Sequence, residues 1–214
     1  MRGVLVDVDG TLLRGASSER LFIGHLLRTG RLGPRQVAAA MLFGLRHWRE
    51  YGRQTSKKNK AYLAGLAVSE VQQVAEAFVR DRLVPHMRDA LVERLMGHRR
   101  AGDWVALLTG TPDFIAIPLG QAVGAVAVRA TRCATRNGVF LSAPPLEHPF
   151  GQRKVRAAAA LCAELGTPVS SCVAYADSAY DLPLLERVGR PVAVHPDQRL
   201  RQAATRRGWE VLGP

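Results

Sequence analysis

The chain of 214 residues has few cysteines, few acidic residues and no long apolar run. Its longest helical stretch with few charges, residues 36–45, lies between Arg35 and Arg46 and is too short to cross a bilayer. Because the chain enters its first strand almost at once, no secretion signal is expected. The odd number and the spacing of the cysteines favour reduced thiols in a cytoplasmic protein; they are Cys133, Cys162 and Cys172.

Basic residues outnumber acidic ones by 30 to 18, which gives a net charge of +12. Residues 20–60 contain ten basic residues and one acidic residue, Glu50. Such a surface attracts anions, including phosphorylated small molecules, nucleic acids and acidic membranes. Since no nucleic-acid-binding motif accompanies the charge, nucleic acid is not the expected partner, whereas a phosphorylated small molecule fits.

Short apolar runs alternate with helical patterns along much of the chain. Residues 4–8 and 103–109 are nearly uninterrupted apolar runs, which predicts strands buried on both faces of a sheet. Further strands are expected near residues 125–129, 171–177, 191–195 and 209–212. Alternating strands and helices form βαβ units. We therefore predict a Rossmann-like α/β fold with a doubly wound parallel sheet.

The region between the first two strands carries no strand pattern. Glycine-containing breaks divide residues 18–84 into three or four predicted helices. We therefore predict a core formed by residues 1–13 and 86–214, with a helical cap of residues 14–85 inserted after the first strand.

Polar side chains stand at the ends of three predicted strands. Asp7 and Asp9 follow the first strand and Thr109 ends the second, while Asp177 ends a later strand and precedes Asp181 by four residues. Ligands of doubly wound sheets bind beyond the carboxyl ends of the strands, so these side chains are expected to converge. On a pleated strand, Asp7 and Asp9 would point to the same side.

Clustered carboxylates beside a lysine indicate a particular chemistry. Carboxylates at one sheet edge repel one another and need a cation, and oxygen ligands without His or Cys favour Mg²⁺ over zinc. A carboxylate can also attack phosphorus and form an aspartyl-phosphate. Lys154, near the start of a predicted helix, would neutralise phosphoryl oxygens in the transition state together with hydroxyl or backbone donors.

Four ordered motifs carry these residues: Asp7-x-Asp9-Gly10-Thr11, Leu107-Leu108-Thr109-Gly110-Thr111, Lys154 and Asp177-x-x-x-Asp181. With them, the chain resembles the haloacid dehalogenase superfamily, and specifically its phosphoserine-phosphatase-like subfamily IB, over essentially its full length. The resemblance implies a Mg²⁺-dependent phosphatase that cleaves small-molecule phosphate monoesters through an aspartyl-phosphate. It also implies that the helical cap closes over the core.

The resemblance implies a role for each residue of the first two motifs. Asp7 would be the nucleophile and a metal ligand. Asp9 would be the acid and base, with its backbone carbonyl on the metal. Thr109 and the amide of Gly110 would bind phosphoryl oxygens.

The residues of the last two motifs would pair with the charges of the phosphoryl group and of the metal ion. By the same resemblance, Lys154 would pair with Asp7 and with the phosphoryl group. Asp177 would bind Mg²⁺, and Asp181 would bind it directly or through water.

The substrate is less well defined by the sequence. The phosphoserine phosphatases that the chain resembles carry a glutamate nine residues after the nucleophile, where it holds the substrate's ammonium group. That position is Ala16 here, and Glu19 is out of register, which disfavours phosphoserine. The basic insertion instead favours further anionic groups or a phospholipid head group. His148 and Arg153 are expected to be ordinary surface or core residues rather than substrate ligands.

An apolar stripe in the insertion also bears on the identity of the substrate. It consists of Leu42, Phe43, Leu45 and Trp48. We expect it to pack inside the cap. Because arginines flank it, the stripe also resembles a helix lying at a membrane interface, which is the sequence argument for a substrate with a lipid tail.

Other functions share parts of the pattern. A phosphotransferase or mutase would use the same aspartyl-phosphate, and only the cap's control of water would separate it. A non-enzymatic phosphate-accepting domain also has an acidic pocket and a lysine, but it needs neither Asp9 nor a cap. A basic nucleic-acid-binding protein has only the net charge in its favour. Monomer and homodimer both stay open.

Overall fold

The computed structural model describes residues 1–52 and 55–213. Its strands are β1 (Gly3–Val6), β2 (Trp104–Pro112), β3 (Ala127–Thr131), β4 (Thr135–Arg136), β5 (Val139–Phe140), β6 (Val173–Ala176), β7 (Arg190–Val194) and β8 (Glu210–Leu212). Six of them form one sheet in the order β3-β2-β1-β6-β7-β8, with every neighbouring pair parallel. β4 and β5 form a separate antiparallel hairpin. The predicted Rossmann-like α/β fold is confirmed.

Helices surround the sheet. Between β1 and β2 the chain forms α1 (Ser18–Arg28), α2 (Pro34–Tyr51), α3 (Thr55–Lys58) and α4 (Val68–Phe78). The later helices are α5 (Asp89–Arg100), α6 (Asp113–Val123), α7 (Gln152–Glu164), α8 (Leu182–Leu185) and α9 (Gln198–Arg207). Short 3-10 turns lie at Ala61–Leu63, Val84–His86, Val169–Ser171 and Ala179–Asp181, and a π-helical turn lies at Val79–Leu83.

Alternation along the strands divides the buried apolar side chains into two layers. In β1, Val4 and Val6 belong to one layer and Leu5 to the other. The first layer extends into the helical insertion, where Phe22 of α1 lies 5.5 Å from Phe114 of α6 between ring centroids. The sheet is therefore covered on both faces, and its polar residues are left to the strand ends.

The chain leaves and re-enters the sheet region at neighbouring points. The amide of Arg14 donates to the carbonyl of His86 (3.1 Å), and the amide of Arg88 donates to the carbonyl of Leu12 (2.9 Å). These contacts lie at the predicted edges of the insertion. The division into a core of residues 1–13 and 86–214 and a cap of residues 14–85 stays a prediction.

The apolar stripe of α2 does not pack as expected. Phe43 is buried, but Leu42, Leu45 and Trp48 are 65%, 79% and 61% exposed. Adjacent residues of a helix point about 100° apart, so Leu42 and Phe43 cannot share one face. Among the described residues, none of the helices combines the length and the apolar composition that are needed to span a membrane.

Candidate active site

The first strand ends earlier than the sequence predicts. β1 stops at Val6, so Asp7 and Asp9 lie in the following loop rather than on a pleated strand. The strand ends there because a tight turn takes the carbonyl of Asp7, which accepts from the amide of Leu12 (3.3 Å). The amide of Asp7 still donates to the carbonyl of Tyr175 (3.0 Å). This bond holds Asp7 at the carboxyl edge of the sheet.

A buried lysine joins two of the aspartates. Nζ of Lys154, on the first turn of α7, donates to Oδ1 of Asp7 (2.8 Å) and to Oδ2 of Asp181 (2.9 Å). Burial lowers the pKa of Lys154, but the charges of Asp181 and Asp7 outweigh burial and hold that pKa above its usual range. Lys154 is therefore a fixed positive charge between the two carboxylates.

Asp177, just after β6, completes the acidic cluster. Its Oδ1 accepts from the hydroxyl of Thr11 (3.0 Å). A Cβ at position 10 would lie 2.1 Å from its Oδ2, and the φ of Gly10 is +83°, so this position requires glycine. Burial and the charge of Asp7 raise the pKa of Asp177 to about 7.

Three carboxylates form a group that fits a hard divalent cation. Asp7, Asp177 and Asp181 each place one oxygen within 4.8 Å of the others. Burial and the charge of Asp7 raise the pKa of Asp181 to about 6 although Lys154 opposes them, so the one lysine does not fully offset these two effects. Oxygen donors without His or Cys match the ligand preference of Mg²⁺.

The carboxylate of Asp9 contacts the start of α1 instead of joining this group. Its Oδ1 accepts from the amide of Ser18 (2.8 Å), and its Oδ2 accepts from the hydroxyls of Ser17 (3.1 Å) and Thr111 (3.2 Å). Burial raises the pKa of Asp9 in spite of these hydrogen bonds. A carboxyl group with a raised pKa is suited to carry a proton and to release it again.

The second motif extends the same hydrogen-bond network. The hydroxyl of Thr109 donates to that of Thr111 (3.1 Å), which in turn donates to Asp9. The carbonyl of Gly110 accepts from the hydroxyl of Thr131 (2.6 Å). The first two contacts fix the end of β2 against the loop that follows β1, and the third fixes it against β3.

All seven predicted site residues line one cleft of about 300 Å³. The structure thus brings all seven of these residues together. The cleft is also lined by Ser17, Glu19, Lys57, Thr111, His148, Pro149, Phe150, Ser178 and Tyr180.

Lys57 of α3 also lines the cleft, although no motif in the sequence points to it. Its Nζ lies 3.9 Å from the ring centroid of Phe150 and 4.0 Å from that of Tyr180, which is cation–π distance. Burial lowers the pKa of Lys57, although the charges of Asp181 and Asp7 oppose this. No spacing in the sequence separates this lysine from the many basic residues around it.

His148 is buried, as expected, but it also lines the cleft. The hydroxyl of Thr131 donates to Gly110, so the remaining contact, between Nδ1 of His148 and the oxygen of Thr131 (2.7 Å), has the histidine as donor. Burial lowers the pKa of His148 to about 4. The ring is therefore neutral. Arg153, by contrast, does not line the cleft.

Glu19 reaches the cleft, but its charge is already balanced. Nζ of Lys60 donates to Oε1 of Glu19 (2.7 Å), and the hydroxyl of Tyr62 donates to the same oxygen (2.8 Å). Lys60 is buried, with 2% of its surface exposed. Ala16 is exposed and does not line the cleft. The helical insertion therefore offers a substrate ammonium group a carboxylate that already has a cationic partner.

Comparison with known proteins finds relatives over most of the chain. The haloacid dehalogenase-like hydrolase family matches residues 4–186. An "inhibition of morphological differentiation protein" of Streptomyces azureus is 33% identical over 73% of this chain, and the match spans 58% of that relative's length. A phosphoserine phosphatase of Mycobacterium tuberculosis is 29% identical over 96% of the chain and 68% of its own length. A histidinol-phosphatase of Neisseria meningitidis is 27% identical over 97% of the chain and 96% of its own length.

Solved structures agree with the fold. A protein of unknown function from Bordetella pertussis Tohama I superposes with a TM-score of 0.84 at 31% identity, covering 99% of this chain and 98% of that one. A probable phosphoserine phosphatase from Vibrio cholerae superposes with a TM-score of 0.66 at 16% identity, covering 94% and 58%. The second likeness concerns the fold alone.

Proposed function

The chain belongs to the haloacid dehalogenase-like hydrolase family, and from its site we propose that it is a phosphatase that hydrolyses a phosphate monoester through an aspartyl-phosphate on Asp7. One observation carries the proposal: buried Lys154 contacts both Asp7 and Asp181, at 2.8 and 2.9 Å. A carboxylate held beside a fixed positive charge suits attack on phosphorus, because the lysine offsets the negative charge of the phosphoryl group.

Asp7 acts in the first half of the reaction. Lys154 holds Oδ1 of Asp7, and Oδ2 attacks phosphorus while the bond from phosphorus to the leaving oxygen breaks. Asp9 gives its proton to that oxygen, so the alcohol leaves neutral. Thr109 and the amide of Gly110 hold phosphoryl oxygens during the transfer.

In the second half of the reaction, water hydrolyses the aspartyl-phosphate. Asp9, now a carboxylate, removes a proton from water as the water oxygen attacks phosphorus. The bond between phosphorus and Asp7 breaks, inorganic phosphate leaves, and Asp9 is again protonated. The hydrogen bonds from Ser17, Ser18 and Thr111 hold Asp9 in place through both halves.

We infer that the acidic group binds Mg²⁺. The carboxylates of Asp7, Asp177 and Asp181 would hold the ion, with the backbone carbonyl of Asp9 as a further ligand. When bound, the ion supplies positive charge that balances the carboxylates and polarises a phosphoryl oxygen. The raised pKa of Asp177, about 7, supports this inference because burial and the charge of Asp7 disfavour the bare carboxylate, and a bound cation would offset both effects.

The names of the relatives point to different leaving groups, since one is a phosphoserine phosphatase and another a histidinol-phosphatase. For this chain we propose a small phosphate monoester without an ammonium group near α1. Lys60 already neutralises Glu19, and Ala16 offers no carboxylate. Lys57, lining the cleft from α3, favours further negative charge on the leaving group. We therefore expect 3-phosphoglycerate, in which a hydroxyl replaces the ammonium of phosphoserine, to be hydrolysed faster than phosphoserine.

Phosphate release tests this function. The assay uses para-nitrophenyl phosphate and a panel of phosphate monoesters, each with Mg²⁺ and with EDTA. We expect metal-dependent release that Asp7→Asn abolishes. Asp89→Asn, which removes an exposed carboxylate at the start of α5, is the matched control and should keep its activity. An Asp7→Asn variant as active as the wild type would refute the proposal.

A further inference from the structure

Helix α2 exposes large apolar side chains that the proposed chemistry does not use. Met41, Leu42, Leu45 and Trp48 are 67%, 65%, 79% and 61% exposed, and Val37 is 43% exposed. Single exposed apolar residues are ordinary, but a contiguous group of this size marks an interaction surface.

Four of these five exposed residues share one side of the helix. Val37, Met41, Leu45 and Trp48 follow one another at intervals of three and four, so they form a single ridge. α2 has 18 residues and is therefore about 27 Å long. An apolar groove beside the ridge, formed in part by Val37, Met41 and Leu27, widens the apolar surface.

Arginines run along one flank of this ridge. At about 100° per residue, Arg35, Arg46 and Arg49 fall on the strip next to Leu42. Among the residues that the structure describes, none of these three arginines forms a salt bridge. Glu50, the acidic residue of α2, contacts His47 instead (3.1 Å). The flank is therefore positively charged along the helix.

We propose that α2 lies on the surface of an anionic lipid bilayer and docks the protein there. The ridge would enter the boundary between head groups and acyl chains, where tryptophan is favoured. The apolar stems of Arg46 and Arg49 would lie along the ridge while their guanidinium groups contact lipid phosphates. A second copy of the chain fits this face poorly, because symmetric pairing would bring like-charged arginines together.

Vesicle co-sedimentation of the full chain tests the apolar ridge. One set of vesicles contains phosphatidylcholine alone, and the other contains equal parts of phosphatidylcholine and phosphatidylglycerol. We expect binding to the anionic vesicles, and a loss of roughly tenfold or more in partition for Met41→Gln/Leu45→Gln. The matched control is Met96→Gln/Leu146→Gln, which makes the same kind of change at sites 53% and 63% exposed elsewhere. It should bind like the wild type.

Charge reversal tests the arginine flank. Because each basic residue near an anionic membrane strengthens binding roughly fivefold, Arg46→Glu/Arg49→Glu should lower partition by more than about tenfold. Arg199→Glu/Arg201→Glu on exposed positions of α9 changes the net charge equally and should have the smaller effect.

Three outcomes would overturn the proposal. The first is no binding to anionic vesicles, and the second is equal loss in the ridge variant and its control. The third is a dimer in solution that Met41→Gln/Leu45→Gln dissociates, since a second copy would then cover the ridge. Because phosphate release is measured without lipid, failure here would leave the proposed phosphatase activity untouched.

Discussion

Asp177→Asn is expected to stabilise the metal-free protein at neutral and alkaline pH. Burial and the charge of Asp7 raise the pKa of Asp177 to about 7 in the folded chain, against about 3.9 in an unfolded chain. Between these values the folded state binds more protons than the unfolded state, so wild-type stability falls as the pH rises. Integrated over the interval, the cost of ionising Asp177 is at most about 4 kcal/mol.

The difference in proton binding between the folded and the unfolded state sets the sign and the size of the change in stability. The cost is absent below about pH 4, where Asp177 is protonated in both states, and is fully present above pH 7. Asparagine removes the charge but keeps an oxygen to accept the bond from Thr11. Because water and neighbouring side chains relax around a charge, we expect a gain of about 1–3 kcal/mol above pH 7 and almost none at about pH 4.

Denaturant unfolding in EDTA at both pH values measures the gain. Asp89→Asn is the control for removing a carboxylate, and it should change the free energy of unfolding by less than about 1 kcal/mol. Added Mg²⁺ should stabilise the wild type more than Asp177→Asn, because the variant lacks one ligand. A variant that is less stable than the wild type above pH 7, or equally stabilised at acid pH, would refute the reasoning.

Three further substitutions probe the cleft. Gly10→Ala should destabilise the protein by at least about 2 kcal/mol in thermal unfolding, since its Cβ would lie 2.1 Å from Asp177; an unchanged Tm would contradict this contact. Lys154→Met should lower kcat by about a thousandfold in steady-state assays, and near-normal kcat would exclude its role beside Asp7. Lys57→Met should raise KM about tenfold while kcat stays within about threefold; Lys57→Arg should restore KM, and equal losses in both variants would argue against a charge effect.

The acidic cluster was predictable because parallel strands share one edge. Asp7 and Asp177 follow neighbouring strands β1 and β6, whose register pairs Val6 with Tyr175. Residues just past those positions must therefore meet, whatever the details of the loops. Lys154 was found for a similar reason, since the first turn of the helix that precedes β6 faces the same edge.

The helical side of the cleft was not predictable from local patterns. Glu19 and Lys60 are 41 residues apart, and their contact depends on how α1 and the segment after α3 fold together. Lys57 approaches Phe150 and Tyr180 only in the folded chain. Such long-range contacts leave no periodic trace in the sequence.

The exposure of α2 was also missed, for a different reason. Hydrophobic periodicity shows which residues share a face, and it does not show whether another element covers that face. Phe43 is buried, as predicted for the whole stripe, whereas Leu45 and Trp48 are exposed.

Trapping the phosphorylated enzyme tests the central role of Asp7 most directly. In Asp9→Asn, para-nitrophenolate still leaves because it needs little protonation, but water lacks its base, so the covalent intermediate should accumulate. The variant is mixed with para-nitrophenyl phosphate and Mg²⁺, quenched in acid, and its peptides are examined by mass spectrometry. We predict one phosphoryl group on the peptide that contains Asp7, and none when Asp7→Asn is added. A phosphoryl group on another residue, or nitrophenol release without any covalent intermediate, would contradict the mechanism.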